Sequence, residues 1–318
     1  MLTQERIDAG KCAVGGSEAA AVVGLHPYMS PYRLYMIKTG QAPPTEEETE
    51  AQYFGTVLEE PVARAYMEKT GRKMRRQPLK VHAVHAHMLC EIDYQIVNDP
   101  RGPGVYEGKA LNAFTKLTGI MDLPDYMFIQ AQHNMAVWDY EWAAFGILIG
   151  GQRLVRFPDL PDVVRDPATI AMLIDAEREF MRRVELKDPP PVDGMDATSD
   201  LIKRLYPQDS GKQVVLDAPE LVTTAFDFLR YKGELDMAEE GKAQAANRLK
   251  AAIGDASEAI IPGFGRITWK ASKPSQKVVL DELRLRDEFP EVYKQVVTVT
   301  TTPGSRRFLP KPDQKEAQ

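Results

Sequence analysis

At 318 residues the chain can hold one large domain with an appendage or two modest domains, so size excludes little. Its 40 Lys and Arg against 46 Asp and Glu give a formal net charge of −6, which argues against a simple basic nucleic-acid-binding module but not against an enzyme that confines its cations to one channel. Cys12 and Cys90 alone cannot build a disulfide framework or a four-cysteine zinc or iron–sulfur site, no apolar run approaches the ~18 residues of a membrane span, and the polar start Thr3-Gln4-Glu5-Arg6 has no signal-peptide core, so a soluble cytoplasmic protein is expected.

Gly16-Ser17-Glu18, followed by Ala19 to Val23, predicts a helix beginning at Ser17, closed by Gly24 and the Pro27-Tyr28 turn. A second helix is expected from Ser30-Pro31 through Leu34, Tyr35 and Ile37 to Gly40. Pro43-Pro44 and Glu46-Glu47-Glu48 form a proline-flanked acidic run, best taken as a solvated loop. From Phe54 to about Thr70 the spacing of Val57, Leu58, Val62, Ala65 and Tyr66 is helical, with Gly71 as its C-terminal stop.

Strands are expected at Leu79 to Val84, Met88 to Val97 and Val105 to Leu111, the last two joined as a hairpin by Asn98-Asp99-Pro100-Arg101-Gly102. A helix over Asp125 to Val137 leads to an apolar strand, Ala143 to Ile149, ending at Gly150-Gly151. Another helix, about Pro167 to Val184, precedes the Pro189-Pro190-Pro191 linker, and the domain boundary is placed at 195/196. Beyond it Asp217, with Glu220 three residues on, reads as a capping box opening a long charged helix to about Ile253. Gly263-Phe264-Gly265 turns into the alternating strand Arg266 to Lys270, and Gln295 to Thr301 is the last strand candidate.

The sharpest chemical feature is Asp93 on one strand and Glu107-Gly108-Lys109 on the next, a D…E-x-K layout. Two carboxylates on neighbouring strands offer hard oxygen ligands suited to Mg²⁺. Alternation puts Glu107 and Lys109 on one face, so an ammonium would stand beside a metal-bound water, and metal and Lys109 together would lower that water's pKa and stabilise charge developing on a phosphate. Taken alone the triplet arises by chance. Its weight comes from order: Gly55-Thr56-Val57-Leu58-Glu59 on the helix before the hairpin, and Gln130-Ala131-Gln132-His133 on the helix after it.

Over roughly residues 6 to 195 these pieces resemble the YqaJ/lambda-exonuclease family of PD-(D/E)xK nucleases. The matching elements are Gly15-Gly16-Ser17-Glu18, His26-Pro27-Tyr28 with Ser30-Pro31-Tyr32, Gly55…Leu58-Glu59, Asp93, Glu107-Gly108-Lys109, Gln130-Ala131-Gln132-His133, Gly150-Gly151 and Arg165-Asp166, in collinear order. The resemblance implies an α/β fold: a restriction-endonuclease-like core of mixed, partly antiparallel sheet flanked by helices, here followed by a long helix and a small β element. It implies that Asp93, Glu107, the Gly108 carbonyl and Glu59 (with Glu60 beside it) hold Mg²⁺, for which Mn²⁺ substitutes. Lys109 would position or activate water, and Gln130 and Gln132 would orient the site or the DNA backbone. Ser17 at a helix N-terminus suits a terminal phosphate, with Lys11 and the more distant Arg6 as the cations upstream.

The activity implied is 5′→3′ resection of linear duplex DNA, with a single-strand annealing protein as partner and a ring-shaped trimer as the assembly. An endonuclease on the same core, or a catalytically inactive DNA-binding protein, are the alternatives; a nuclease carrying a cysteine-held iron–sulfur cluster is excluded by the cysteine count. Arg72, Lys73, Arg75, Arg76 and Lys80 read either as a DNA-backbone track or as a charged turn. His82, His85 and His87 are read as structural or surface residues, and Tyr126, Phe128 and Trp138 as core.

Overall fold

A computed structural model describes residues 12–42, 49–115, 123–275, 280–298, 300, 306 and 308–310. The chain divides after Tyr206 into two units. The first begins with β1 (Val14–Gly15), α1 (Gly16–Val22), α2 (Pro31–Lys38) and α3 (Glu50–Thr70). Ser30 caps α2 by accepting from the Arg33 amide, and Gly71 ends α3 in the left-handed region. The third helix starts four residues before Phe54 because Thr49 and Gln52 close a capping box there.

Next come β2 (Met74–Arg75), β3 (Lys80–Val81), β4 (Met88–Cys90), β5 (Tyr94–Ile96) and β6 (Gly104–Leu111). The expected strand Met88 to Val97 is in fact two: β4 joins β1 and β3 in a three-stranded sheet, whereas β5 joins the main sheet. Of Leu79 to Val84 only Lys80 and Val81 pair. The hairpin is present, with Tyr94 opposite Tyr106 and Ile96 opposite Gly104. After α4 (Asp125–Trp138) follow β7 (Trp142–Ile149), β8 (Arg153–Val155), β9 (Val163–Val164), α5 (Pro167–Leu186) and α6 (Asp196–Leu205).

The main sheet runs β2-β5-β6-β7-β8, with β9 also on β7; β6 and β7 are parallel and the other pairs antiparallel. Such a mixed sheet flanked by helices is the class expected. Tyr66 and Ala63 of α3 pack on one face against Tyr106, Trp142 and Ala144. On the other face Met127, Ala131 and Met135 of α4 pack against Val105, Ala143, Phe145 and Ile147. Helices α1, α2, α5 and α6 form a further layer behind α4 around Tyr35, Leu173, Phe180 and Leu201. The last of these helices was not foreseen. It belongs to the first unit, where Thr198 shares a 2.6 Å hydrogen bond with buried Ser30.

The second unit holds α7 (Pro219–Ile253), the antiparallel hairpin β10 (Glu258–Ile261) and β11 (Gly265–Thr268), α8 (Glu282–Glu288) and α9 (Pro290–Val296). Asp217 does not cap α7: the cap position is Ala218, and no side chain bonds there. Gln295 and Val296 finish a helix rather than start a strand, because Pro290 at the first helical position opens α9; Val299 and Thr301 lie outside the described residues. So does the acidic run 46–48. Among the described residues no helix is long and apolar enough to cross a membrane.

Candidate active site

The β5–β6 register brings Asp93 and Glu107 together. Tyr94 pairs with Tyr106, so Asp93 and Glu107 come next in the ladder. The Gly108 amide donates to Asp93 Oδ2 at 2.7 Å, which fixes the first carboxylate against the strand that carries the second. Alternation turns Glu107 toward α4, where it is 2 % exposed.

Two amides one helical turn apart on α4 hold it there. Gln130 Nε2 donates to Glu107 Oε2 at 2.9 Å and Asn134 Nδ2 to Oε1 at 2.8 Å, while Lys109 Nζ reaches Oε2 at 3.3 Å. Burial, and then the charge of Asp93, push the Glu107 carboxyl up to about 8. Burial raises Asp93 too, against the pull of Lys109. The Lys109 ammonium loses by burial, but Glu107 and Asp93 more than offset this and raise it.

Glu59 and Glu60 separate cleanly. The Glu59 carboxyl is raised by burial and by the charge of Asp93, with Arg76 and Lys109 opposing; Glu60 is exposed and meets Arg64 at 3.0 Å on its own helix. Glu59 therefore faces the pair. Arg76 stands at the rim, stacked on Tyr94 at 4.9 Å, and its charge acts on both Glu59 and Asp93. On the side of Lys109 lies half-buried Tyr126, whose ring meets His26 at 5.7 Å; exposed Tyr28 meets the same histidine.

Other expected site residues lie elsewhere. Gln132, two residues past Gln130, points off the opposite side of α4: it donates to the Val164 carbonyl at 2.8 Å and accepts from the Asp166 amide at 2.8 Å, so it joins α4 to the β9–α5 corner. Arg72 is committed to an ion pair within the unit. Its guanidinium is bidentate to Asp162, at 2.8 and 2.6 Å, and stacks on Trp142 and Phe157. Arg75 donates to Gln95 at 2.8 Å, and Lys80 lies over Trp138 at 4.9 Å.

Ser17 is exposed at the start of α1, but Glu18 already accepts from the Gly15 amide at 2.8 Å and pairs with Lys38 at 2.7 Å. Lys11 and Arg6 lie outside the described residues. His82 accepts from the amides of Val84 and His85, and His87 donates to the Ile174 carbonyl, which agrees with a structural reading of the three histidines.

Two residues to which the sequence assigns no role also stand out. Asn134 shares a face with Gln130 at a spacing of four, which was the available signal. His133, fully buried, has Glu177 at 2.8 Å from Nδ1 and the Leu89 carbonyl at 3.0 Å from Nε2. Burial lowers its pKa, yet two acceptors facing the two nitrogens, Glu177 above all, raise it overall and favour the imidazolium.

Among the described residues no three His, Cys, Asp or Glu side chains are arranged to hold a metal ion by themselves. Two carboxylates raised by burial, with the charge of Asp93 raising Glu107 and Glu59 further, are nonetheless a hard-oxygen donor set short of positive charge. That set suits Mg²⁺, which takes one or two protein carboxylates and keeps waters.

Residues 7–141 match the model of the YqaJ-like viral recombinase domain. The chain is 29 % identical over 289 residues to the uncharacterized protein YqaJ of Bacillus subtilis (strain 168), covering 89 % of this chain and 87 % of that one. An alkaline exonuclease (LHK-Exo) from Laribacter hongkongensis aligns with a TM-score of 0.49 at 21 % identity, over 58 % of this chain and 94 % of that one. Its complex with dAMP aligns with a TM-score of 0.46 at 20 % identity, over 63 % and 97 %.

Proposed function

We propose, from the match of residues 7–141 to the YqaJ-like viral recombinase domain, that the chain is a Mg²⁺-dependent deoxyribonuclease, an exonuclease that resects linear duplex DNA 5′→3′ in phage-type recombination. The observation that carries the reading is the Glu107 carboxylate, buried beside Asp93 with Lys109 at 3.3 Å. A carboxylate pair with an ammonium alongside suits phosphodiester hydrolysis: anionic ligands for a divalent ion, and a cation for charge developing on the phosphate.

Asp93 and Glu107, with Glu59 and the Gly108 carbonyl in support, would hold Mg²⁺ or Mn²⁺, which when bound supplies Lewis acidity and a water of lowered pKa. The rest falls to the protein's own residues. Gln130 and Asn134 clamp Glu107 so that both its oxygens stay oriented. Lys109 Nζ, tethered to Glu107, orients the attacking water and bears on the non-bridging phosphate oxygens. Arg76, at the rim, meets the backbone of the strand being cut. Ser17 with Lys11 and Arg6 would receive the terminal phosphate. The 3′ overhang would pass to a single-strand annealing protein, and a ring-shaped assembly would keep hold of the duplex.

The test is digestion of a linear duplex labelled at one 5′ end, with and without 5′ phosphate, in Mg²⁺ and in EDTA. Release of 5′ nucleotides that needs Mg²⁺, is stimulated by the phosphate and disappears in Glu107→Ala and Lys109→Ala is the expected result. Binding without cleavage of linear, nicked or single-stranded DNA under any divalent ion would leave a DNA-binding protein on a nuclease fold.

A further inference from the structure

Helix α7 is 35 residues long, and within its own unit Ile253 is its one buried residue. Asp227, Leu229 and Ala246 are half-buried, and Phe308 meets Phe228 edge-on. A helix of this length, ~52 Å at 1.5 Å per residue, gains little from propensity alone and needs an apolar face covered. One face is patterned for that. Leu221, Phe228, Leu235 and Leu249 recur at multiples of seven, with Lys242 in the remaining place; three residues after each stand Thr224, Tyr231, Ala238, Ala245 and Ala252. The large members of this seam are 40 to 59 % exposed. Val222 and Phe226 lie on the far side of the helix, outside it.

We propose that α7 pairs with α7 of a second copy as an antiparallel, two-fold coiled coil. Size complementarity sets the direction. Turned end to end about its midpoint, the seam puts Leu221 against Ala252 of the second copy, Phe228 against Ala245 and Leu235 against Ala238, a large residue facing a small one each time. Lys242 then falls on Tyr231, an ammonium over a ring, and Leu249 on Thr224. The flanking charges agree. Asp227 comes opposite Arg248 and Lys232 opposite Glu239, each twice by symmetry, and no like charges meet.

A parallel pair does worse on both counts: Lys242 would stack on Lys242 inside the seam, and Glu234 would face Glu239. The seam and its flanks offer about 20 residues per copy, the size of a standard interface side. Asp227 also meets Arg230 at 2.9 Å on its own helix, an exposed pair that a cross-helix arginine can share. The inference stands apart from the nuclease reading, since it uses no residue of the first unit.

Charge exchange tests it in the full chain. Light scattering should show Asp227→Arg and Arg248→Asp each halving the mass of the assembly, and the double variant Asp227→Arg/Arg248→Asp regaining it, which also shows that the substituted helix folds. A parallel pair would not be rescued by the exchange. In a Cys12→Ser background, a nitroxide at Thr223→Cys should lie about 40 Å from its mate if the helices are antiparallel and under about 20 Å if parallel, from the rise of ~1.5 Å per residue. A mass indifferent to the single substitutions, a double variant that stays dissociated, or the short distance would overturn the proposal.

Discussion

Asn134 donates its amide to Glu107 at 2.8 Å while its own carbonyl oxygen, buried and without a hydrogen-bond partner, lies against Gly16. A Cβ on Gly16 would come within 2.1 Å of that oxygen, so the glycine at the start of α1 makes room for the residue that steadies the carboxylate. Asn134→Ala should lower turnover by ~10–100-fold, as changes to residues behind a metal ligand do, and raise the Mg²⁺ concentration for half activity. Gly16→Ala should act in the same direction. A Mg²⁺ titration of cleavage checks both, and unchanged half-saturation in the two variants would show that Glu107 needs no such support.

The raised Glu107 carboxyl fixes a pH dependence. Its folded-state value of about 8 lies above the ordinary ~4.3, so in chelator the stability it contributes is full below the ordinary value and is lost as pH climbs through 8. A divalent ion reverses the trend, because it competes with that proton: affinity for Mg²⁺ should rise from pH 6 to about 8 and then level off. Thermal unfolding with and without Mg²⁺ across this range reads both slopes. Equal shifts in melting temperature at pH 6 and pH 8 would contradict the argument.

Arg72 and Arg76 sit four residues apart and should fail differently. Removing Arg72 leaves Asp162 buried with only Arg101, at 2.7 Å, and should cost ~2–4 kcal/mol, seen in urea unfolding. Arg76→Ala should leave unfolding within ~0.5 kcal/mol. It should instead weaken DNA binding and reduce the slope of log affinity against log salt by about 1. An Arg76 variant with unaltered salt dependence would remove that residue from the DNA path.

Gly146, paired with Gly108 across β6 and β7, lies beneath the Tyr106 ring: a Cβ there would stand 2.3 Å from the hydroxyl oxygen. Gly146→Ala should therefore destabilise by ~1–3 kcal/mol. Tyr106→Phe should be neutral or stabilising, because that hydroxyl is buried without a partner. The double variant should recover part of the loss, and a denaturation cycle giving no coupling energy would show that the strand adjusts instead.

What the sequence disclosed divides by range. Asp93 and the Glu107–Lys109 strand were legible because a turn-rich loop and strand alternation fix their relation locally. The sidedness of Glu59 over Glu60 needed the rotation of α3 against the hairpin, a tertiary fact. The ion pair of Arg72 is not legible in the sequence, because a run of cations does not reveal that one of them meets Asp162, ninety positions away in the chain. The break between β4 and β5 was hidden for a related reason: the run from Met88 to Ile96 is uniformly suited to strand, and only the pairing partners part it into two sheets. Gln295 to Thr301 alternates well enough for a strand, yet the start signal at Pro290 governs its first residues.

Helix α4 spends successive side chains in different directions: Gln130 and Asn134 on Glu107, Gln132 on the β9–α5 corner, His133 on Glu177 and Leu89. The carboxylate clamp is carried by a helix that Gln132 and His133 tie into the rest of the first unit. The amides of α4 should thus be among the slowest in the first unit to exchange with deuterium, opening only when the whole unit opens. Partial denaturants would then find no window in which the fold survives and the clamp does not: loss of catalytic competence and loss of the near-ultraviolet signal from Trp142, whose ring lies on the opposite face of the same sheet, should trace one curve.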